Sequence, residues 1–530
     1  MAGNNLTKTD MERALMRKKV VLGVDIGTSS SKGVLVTFEG SILRSAIRAH
    51  SVERPFPGHV EMSAEIWWQE FVDIATELTS PGDVDVVSVG VSGMGPCVLV
   101  TDERSRPLRP AILYGVDTRA MAQVDALNAA IDPAEILDRC GSALSSQAVG
   151  PKLAWLRENE PAVFAKAKRL YMPSSWLAYK LTGNYVLDYH SASQCTPMFD
   201  TRSLSWYLPW ATLIAPGLEL PPLSWPGERA GVTAQAVAGI DAGVLVITGT
   251  IDAWSEALSV GAHNVGDLML MSGTTMFLIN TVAAPITSAS MWGTVGALEG
   301  TRSLAGGMAT SGAITSWLRE LVGSPDFSTL LDEAEASGPG ARGLLLLPYF
   351  AGERTPIMDP DARGILAGLT LTHTCGDIYR AVLEAVALGV RHNIETMRSA
   401  GAVIDRVVAV GGGTEGELWT QIVTDVAGMT QVIPSKTIGA SYGAALLAAQ
   451  LENDVCIDDW NPPAGVLTPD ESTASDYGDL YRLYLDLYPA SREIVHALAA
   501  YARRPSRRPK DSAVAPVAVA PVAGEAGQHG

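Results

Sequence analysis

Arg363-Gly364-Ile365-Leu366-Ala367-Gly368-Leu369 continues through residues 370–376 into Asp377-Ile378-Tyr379-Arg380-Ala381-Val382-Leu383-Glu384, and Gly352-Glu353-Arg354-Thr355-Pro356 stands just before it. The first part is a turn of small residues and the second has the spacing of an amphipathic helix. Asp377 is placed to cap that helix, and Ala381 is small enough for close packing against a neighbour. Taken singly, Gly368 and Ala381 need only a buried loop and a packed helix. The ordered set is too long and position-specific for packing alone, and it directs attention to a phosphate-type turn far upstream.

With 530 residues and 47% hydrophobic content, the chain exceeds what one core supports, so two domains are expected. A formal charge of -18 removes nucleic acid as a partner, because phosphate-backbone binding needs a basic footprint. Cys97, Cys140, Cys195, Cys375 and Cys456 show no metal-ligand spacing and read as the reduced thiols of a cytoplasmic protein. Residues 1–19 form a polar, charged N-terminal extension without an apolar signal core. No apolar run reaches the roughly eighteen residues of a membrane span, so no membrane partner is expected. Residues 453–502 read as a C-terminal helical segment. Residues 503–530 form a low-complexity tail, expected to be disordered for want of a core of its own.

A β-branched run over 19–24 ends in Asp25 and is followed by a Gly/Ser/Thr turn and a returning apolar run over 33–38. Buried strands are also expected over 84–91 and 244–248, the latter closing in Gly249-Thr250-Ile251-Asp252 before a helix near Ala253. Helical spacing marks 120–128 and 151–159. After Gly261 the pattern starts over: a strand at 268–271, Ser272-Gly273-Thr274-Thr275, then a strand at 276–279. This is a duplication of architecture rather than of sequence. Strands at 406–410 and 431–434 and helices at 416–427 and 439–451 complete the second half. The reading is α/β, with domains at 20–262 and 263–452 facing one another across a cleft.

Asp25-Ile26-Gly27-Thr28-Ser29-Ser30-Ser31-Lys32 has the parts of a phosphate turn: Gly27 admits the backbone, Thr28 and Ser29 supply donors, and Lys32 supplies charge. It lacks the glycine directly before the lysine that a Walker loop carries, and a plain hairpin with a solvated lysine is the alternative. Gly411-Gly412-Gly413-Thr414-Glu415-Gly416 satisfies G-x-G-x-x-G after a strand. The following strand ends in Ser435-Lys436 without a ribose-binding acid, which argues against NAD. Asp252, at the end of a buried strand and the start of a helix, is either a catalytic base or a helix cap.

The motifs around Gly352, Gly368 and Ala381 together resemble the second signature of the FGGY carbohydrate kinases. Lys152-Leu153-Ala154-Trp155-Leu156-Arg157-Glu158-Asn159 resembles the core of the first signature, with Val149 and Gln147 off its pattern. The hairpins at Asp25 and at Ser272 are similar to the paired phosphate hairpins of the sugar-kinase, actin and chaperone-ATPase superfamily. The resemblance implies two ribonuclease-H-like domains flanking a deep cleft and ATP-dependent phosphorylation of a small sugar or polyol, nearest in appearance to the xylulokinases. It implies ATP and Mg2+ as cofactors, with Asp25 at the metal and Gly27, Thr28, Ser29, Lys32, Gly273, Thr274 and Thr275 at the phosphates. Gly411 and Gly412 would border the adenine. Gly249-Thr250-Ile251-Asp252-Ala253 resembles the family's Gly-Gly-Gly-Asp-Asn-Ala, which favours Asp252 as the base. A homodimer is left open.

The acceptor half departs from the pattern. Ser92-Gly93-Met94-Gly95-Pro96 stands where xylulokinases show Ser-Gly-Gln-Met-His, so the substrate positions Met94, Gly95 and Pro96 lose two polar ligands. Tyr114-Gly115-Val116-Asp117-Thr118-Arg119 resembles Trp-x-Asp-x-Arg with Gly115 in the tryptophan's place. Asp117 and Arg119 remain as substrate candidates or as an ordinary surface ion pair, and Trp155 reads as core. The glycerol kinases' Arg-Glu pair is missing, and Ser174-Ser175 replaces the family's Lys-Asp. A chaperone or filament ATPase is the rival reading, since it needs the hairpins but not Asp252. A silent sugar-binding homologue is disfavoured by intact Asp25, Thr28, Lys32 and Asp252.

Overall fold

A computed structural model of the chain describes residues 17–412 and 416–503. The extension up to residue 16, the Gly413-Thr414-Glu415 portion of the glycine-rich turn and the tail from residue 504 lie outside the described residues.

The first half begins with β1 (Lys18–Ile26), β2 (Ser30–Val36) and β3 (Ile42–Ala49), followed by α1 (Ala64–Thr79) and β4 (Val84–Gly93). After a long excursion that includes α2 (Val149–Asn159), the chain returns as β5 (Leu245–Ile247), β6 (Thr250–Ile251) and α3 (Asp252–Ser259). β1, β2 and β3 form an antiparallel meander, and β4, paired parallel to β1, is flanked in parallel by β5 and β6. The near-continuous Val/Ile/Leu runs of β1 and β4 follow from burial on both faces.

The second half repeats the plan. β7 (Asp267–Ser272), β8 (Met276–Val282) and β9 (Arg302–Met308) are the meander, then come α4 (Cys375–Ser399), β10 (Arg406–Val410), α5 (Glu417–Ala427), β11 (Gln431–Pro434) and α6 (Ala440–Ala449). β10 runs parallel to β7 and β11 parallel to β10, so the strand order matches that of the first sheet. The two-domain α/β architecture expected from the duplicated hairpins is present.

Two details differ from the sequence reading. The cap of α4 is Thr374, whose Oγ1 accepts from the Asp377 N–H at 3.3 Å, while Asp377 Oδ2 accepts from the Thr374 N–H at 2.7 Å. Asp377 therefore closes a capping box from the third helical position instead of capping the helix itself. The segment after 452 is not only helical: residues Pro463–Leu467 add an edge strand to the second sheet before α7 (Ala474–Ala502). Ala381 does pack closely, in a small cluster with Ala341 and Leu344.

The halves are joined by α3 and α6, which lie between the sheets and share a core with Val21, Ile247, Met269 and Val408. The approach depends on missing side chains. A Cβ on Gly443 would fall 1.9 Å from the Ser255 carbonyl oxygen, one on Gly90 1.9 Å from that of Ala444, and one on Gly23 2.0 Å from that of Ser441. Ser255 Oγ donates to the Ala440 carbonyl at 2.8 Å and Ser88 Oγ to that of Ala448 at 2.9 Å, so the buried hydroxyls bind the helix ends. We expect Gly443→Ala to force α3 and α6 apart and to destabilise the protein by about 1–3 kcal/mol, read as a lowered melting temperature. An unchanged melting temperature would remove this crossing from the fold's determinants.

Candidate active site

Parallel pairing sets three strand ends side by side. In register, Ser92 of β4 stands opposite both Asp25 of β1 and Thr250 of β6, and Asp252 follows directly as the first residue of α3. Asp25, Ser92 and Asp252 thus gather at the carboxyl edge of the sheet, where open α/β sheets bind ligands. Ser92 Oγ donates to Asp25 Oδ1 at 2.8 Å, and the carboxylate of Asp252 accepts its neighbour Ala253 N–H at 2.8 Å. The formal cap position of α3 is Ile251, which makes no side-chain cap.

The first hairpin closes through Gly27 N–H to the Ser30 carbonyl at 3.1 Å, with Lys32 the cross-strand partner of Asp25. His50 braces the turn: one ring nitrogen lies 3.1 Å from the Gly27 carbonyl oxygen and the other 2.9 Å from Glu70. Thr28 Oγ1 is 3.0 Å from the Tyr114 hydroxyl. In the second hairpin Gly273, Thr274 and Thr275 are exposed, and the backbone N–H groups of Ser311, Gly312 and Ala313 bind the Gly273 and Thr274 carbonyls from the start of a following helix. Gly411 has φ +94°, and a Cβ there would lie 2.2 Å from the Ser272 carbonyl oxygen, so a glycine is required. Gly273, Thr274 and Gly412 border a cavity of about 780 Å³ whose other walls include Trp317, Phe327 and Trp419, a slot suited to a flat base.

Across the cleft lies a small recess of about 60 Å³, lined by Gly95, Pro96, Gln147, Gln194, Trp254 and Trp292. It shares Gln147 and Trp292 with an outer cavity of about 620 Å³ that also meets Tyr114, Glu353 and Arg354. Met94 lines neither cavity. Its side chain is 1% exposed within the first domain's core, so of the three substrate positions read from sequence only Gly95 and Pro96 face the recess. Asp117 and Arg119 are not a surface pair either. Both side chains are fully enclosed, bonded to each other at 2.7 Å, and Arg119 also binds Glu61 at 2.7 Å and covers the Trp155 ring. Asp117 Oδ2 additionally accepts the Val60 N–H at 2.6 Å, which leaves the pair little to offer a ligand.

The missing tryptophan and the off-pattern glutamine are one change. A Cβ on Gly115 would lie 2.5 Å from the Gln147 amide, and Gln147 Oε1 accepts the Gly115 N–H at 2.9 Å. Gln147 therefore occupies the space beside Gly115 and keeps its amide nitrogen as a donor. Trp254 is equally fixed, its ring tilted against that of His190 at 3.8 Å between centroids and its Nε1 donating to Ser303 Oγ at 3.0 Å.

Residues 20–259 match the FGGY family of carbohydrate kinases, N-terminal domain, and residues 268–451 the C-terminal domain of the same family. The crystal structure of xylulose kinase from Rhodospirillum rubrum superposes with a TM-score of 0.85 at 30% identity, covering 90% of this chain and all of that one. Xylulose kinase of Staphylococcus xylosus is 27% identical over 490 residues, 88% of this chain and 99% of the relative. Gluconokinase of Bacillus subtilis is 26% identical over 493 residues, 88% and 95% of the two chains. The chain belongs to the FGGY family of carbohydrate kinases.

As an FGGY kinase it is a phosphotransferase with an alcohol group as acceptor, and the rival of a chaperone or filament ATPase is set aside. Sequence reasoning passed over several residues that the FGGY fold brings to the cleft. Trp254, Phe277 and Trp292 form its aromatic wall. Glu353 and Arg354 had been read only as part of a signature; the signal was their charge in an otherwise small-residue turn. Among the described residues no helix is long and apolar enough to cross a membrane.

The carboxylates of this FGGY kinase strain one another. Burial and then the negative charge of Asp252 push Asp25 well above the usual carboxylate range, against the Ser92 hydrogen bond and Lys32. Burial also raises Asp252, and burial with the Asp252 charge raises Glu256. A group whose folded pKa exceeds its unfolded value binds its proton more tightly when folded. Ionised Asp25 therefore costs stability as pH rises from about 4 through its raised value. We expect Asp25→Asn, which keeps an oxygen for Ser92, to raise the melting temperature of the ligand-free protein at pH 8. The gain should shrink as pH falls toward 4. Melting curves that coincide at every pH would show that the carboxylates do not repel.

Proposed function

We propose that this kinase transfers the γ-phosphoryl group of ATP to a hydroxyl of a short, neutral ketose or polyol of the pentulose, pentitol or tetritol class, and that D-xylulose fits it poorly. The reading rests on one observation: Asp252 stands at the sheet edge beside Asp25 of the first hairpin and two residues before Trp254, which lines a small aromatic recess whose polar groups are neutral amides and hydroxyls.

The acceptor hydroxyl gives its proton to the Asp252 carboxylate as its oxygen bonds to the γ-phosphorus. The bond from that phosphorus to the bridging oxygen breaks, and ADP leaves with the electron pair. Raising Asp252 toward neutrality makes it a stronger base than a free aspartate. Gly27, Thr28, Ser29, Lys32, Gly273, Thr274 and Thr275 present amide, hydroxyl and ammonium donors to the phosphates, and the 780 Å³ slot takes the base. Magnesium suits the donor set, because Asp25, Asp252 and Glu256 are hard oxygen ligands, and the charges of Asp252 and Glu256 raise Asp25 and are offset only in part by Lys32. Among the described residues no group of three His, Cys, Asp or Glu is arranged to hold an ion, so Asp25 would hold it largely through water. When bound it would neutralise phosphate charge, with Asp25 as its carboxylate.

Pro96 brings no donor to the recess, and Trp254 spends its N–H on Ser303. Gln147, Gln194 and nearby hydroxyls remain. Each acceptor hydroxyl buried without a partner costs about 1–3 kcal/mol. An ADP-release screen over ketopentoses, pentitols, tetritols and glycerol should therefore rank another acceptor above D-xylulose; if D-xylulose ranks first, the plain xylulokinase reading is right.

Asp252→Asn should lower turnover on the best acceptor by roughly 10²–10⁴ with nucleotide affinity nearly unchanged. A variant retaining more than about a tenth of wild-type turnover, well above that range, would reduce Asp252 to part of the helix start. If wild type turns over no acceptor, the silent sugar-binding reading takes its place.

A further inference from the structure

Arg354 is a cation the mechanism above does not use. It lines the outer cleft cavity opposite Tyr114, and its Nε is buried without a hydrogen-bond partner. One terminal nitrogen donates to the Met308 carbonyl at 2.8 Å, at the end of β9, and the guanidinium packs beside Gly307. Glu353 beside it is already engaged: its Oε1 accepts the Ala309 N–H at 2.8 Å and the Arg354 N–H at 2.7 Å. Burial pushes Glu353 up to about 7, so it neutralises the guanidinium weakly.

The position is fixed from several sides. Residues 353–359 form a small bridge, with Glu353 N–H to the Asp359 carbonyl at 2.8 Å. Thr355 is fully buried, accepts the Gly307 N–H at 2.6 Å and binds Asn393 of α4 at 2.6 Å. Arg354 thus projects from a braced loop beside β9 and binds it at Met308, three residues before the Ser311–Gly312–Ala313 backbone that anchors the second hairpin. It faces Tyr114, whose hydroxyl reaches Thr28 of the first. A guanidinium with an unpartnered Nε, on the wall of a cavity it shares with the tyrosine that reaches the first hairpin, has the charge and the donors to serve an oxyanion.

We propose that Arg354 is an oxyanion receptor on the acceptor side of the cleft, contacting the γ-phosphoryl oxygens as the group passes from nucleotide to acceptor. This rests on the kinase reading above and adds to it a residue outside the hairpins. The bond changes are those already given; Arg354 forms and breaks none, and supplies hydrogen bonds to oxygens that gain charge. An acceptor carboxylate presents the same chemistry, and the test separates the two.

Calorimetric titration of full-length wild type, Arg354→Gln and Arg354→Lys with ADP, with adenylyl imidodiphosphate and with D-gluconate reads binding without turnover, so it stands even if no acceptor is phosphorylated. We expect Arg354→Gln to weaken the imidodiphosphate roughly ten- to a hundredfold with ADP unchanged, and Arg354→Lys to lose less because it keeps the charge. Weakened D-gluconate binding with the imidodiphosphate unaffected would assign the same receptor to an acceptor carboxylate. If Arg354→Gln does not fold, Arg354→Lys must still weaken the imidodiphosphate or D-gluconate selectively. Equal losses for ADP and imidodiphosphate, or no change in any affinity, overturn the proposal.

Discussion

Everything in this molecule depends on how closely α3 and α6 can approach. Asp252 opens α3, and α6 lies against β1 and β4, the strands that deliver Asp25 and Ser92. Glycines at 23, 90 and 443 let carbonyl oxygens come where a β-carbon would otherwise stand. The gain is an apolar core shared by the two halves, with buried serine hydroxyls bonded to the helix carbonyls. The consequence is that a helix made late in the chain forms the back wall of a sheet made first. Close packing of this kind transmits small displacements instead of absorbing them, so the geometry of the carboxylates is tied to the relation between the two domains.

The carboxylates show what the scaffold is asked to hold. Asp25 and Asp252 would not choose to share a buried edge, and the first domain keeps them there with a serine hydroxyl, a helix start and Lys32 across the strand. Such a group of raised acids is costly in the empty protein and becomes favourable once positive charge arrives. By contrast, Asp117, Arg119 and Glu61 are fully compensated and enclosed, and removing one member would strand a buried charge at about 3–5 kcal/mol. Two acidic clusters in one domain therefore serve opposite ends, one left unsatisfied at the cleft and one satisfied beneath it.

The duplicated strand, turn and strand and the placing of Asp252 between a strand end and a helix are legible because each is local: a hydrophobic period followed by glycine and hydroxyl residues within ten positions. What sequence missed is set by contacts distant along the chain. Trp254, Phe277 and Trp292 become a wall only when both domains are folded. Gly115 and Gln147 look like separate departures until the structure shows one filling the other's space. Met94 reads as an acceptor residue by its position in a motif, yet just past the end of β4 its N–H binds the Ile26 carbonyl at 2.7 Å and its side chain lies in the core. Asp377 was given the cap because aspartate favours that role, whereas Thr374 three residues earlier had the stronger geometry. The edge strand at Pro463–Leu467 was hidden by its flanking prolines.

The last helix has a bearing on how the protein comes into being. His496 Nε2 lies 2.5 Å from Asp359 Oδ2 and Tyr488 donates to the same carboxylate, so α7 holds the loop that carries Glu353 and Arg354; Tyr477 likewise binds Arg380 at 2.7 Å within α4. Both the rim of the cleft and the back of the first sheet wait for helices made after both meanders. A chain emerging from the ribosome can form the first meander early, but α6 and α7 come only after the second. A partial product that stops short of them carries both hairpin turns without the helices that hold their surroundings in place, so it has the parts of the site and not their arrangement.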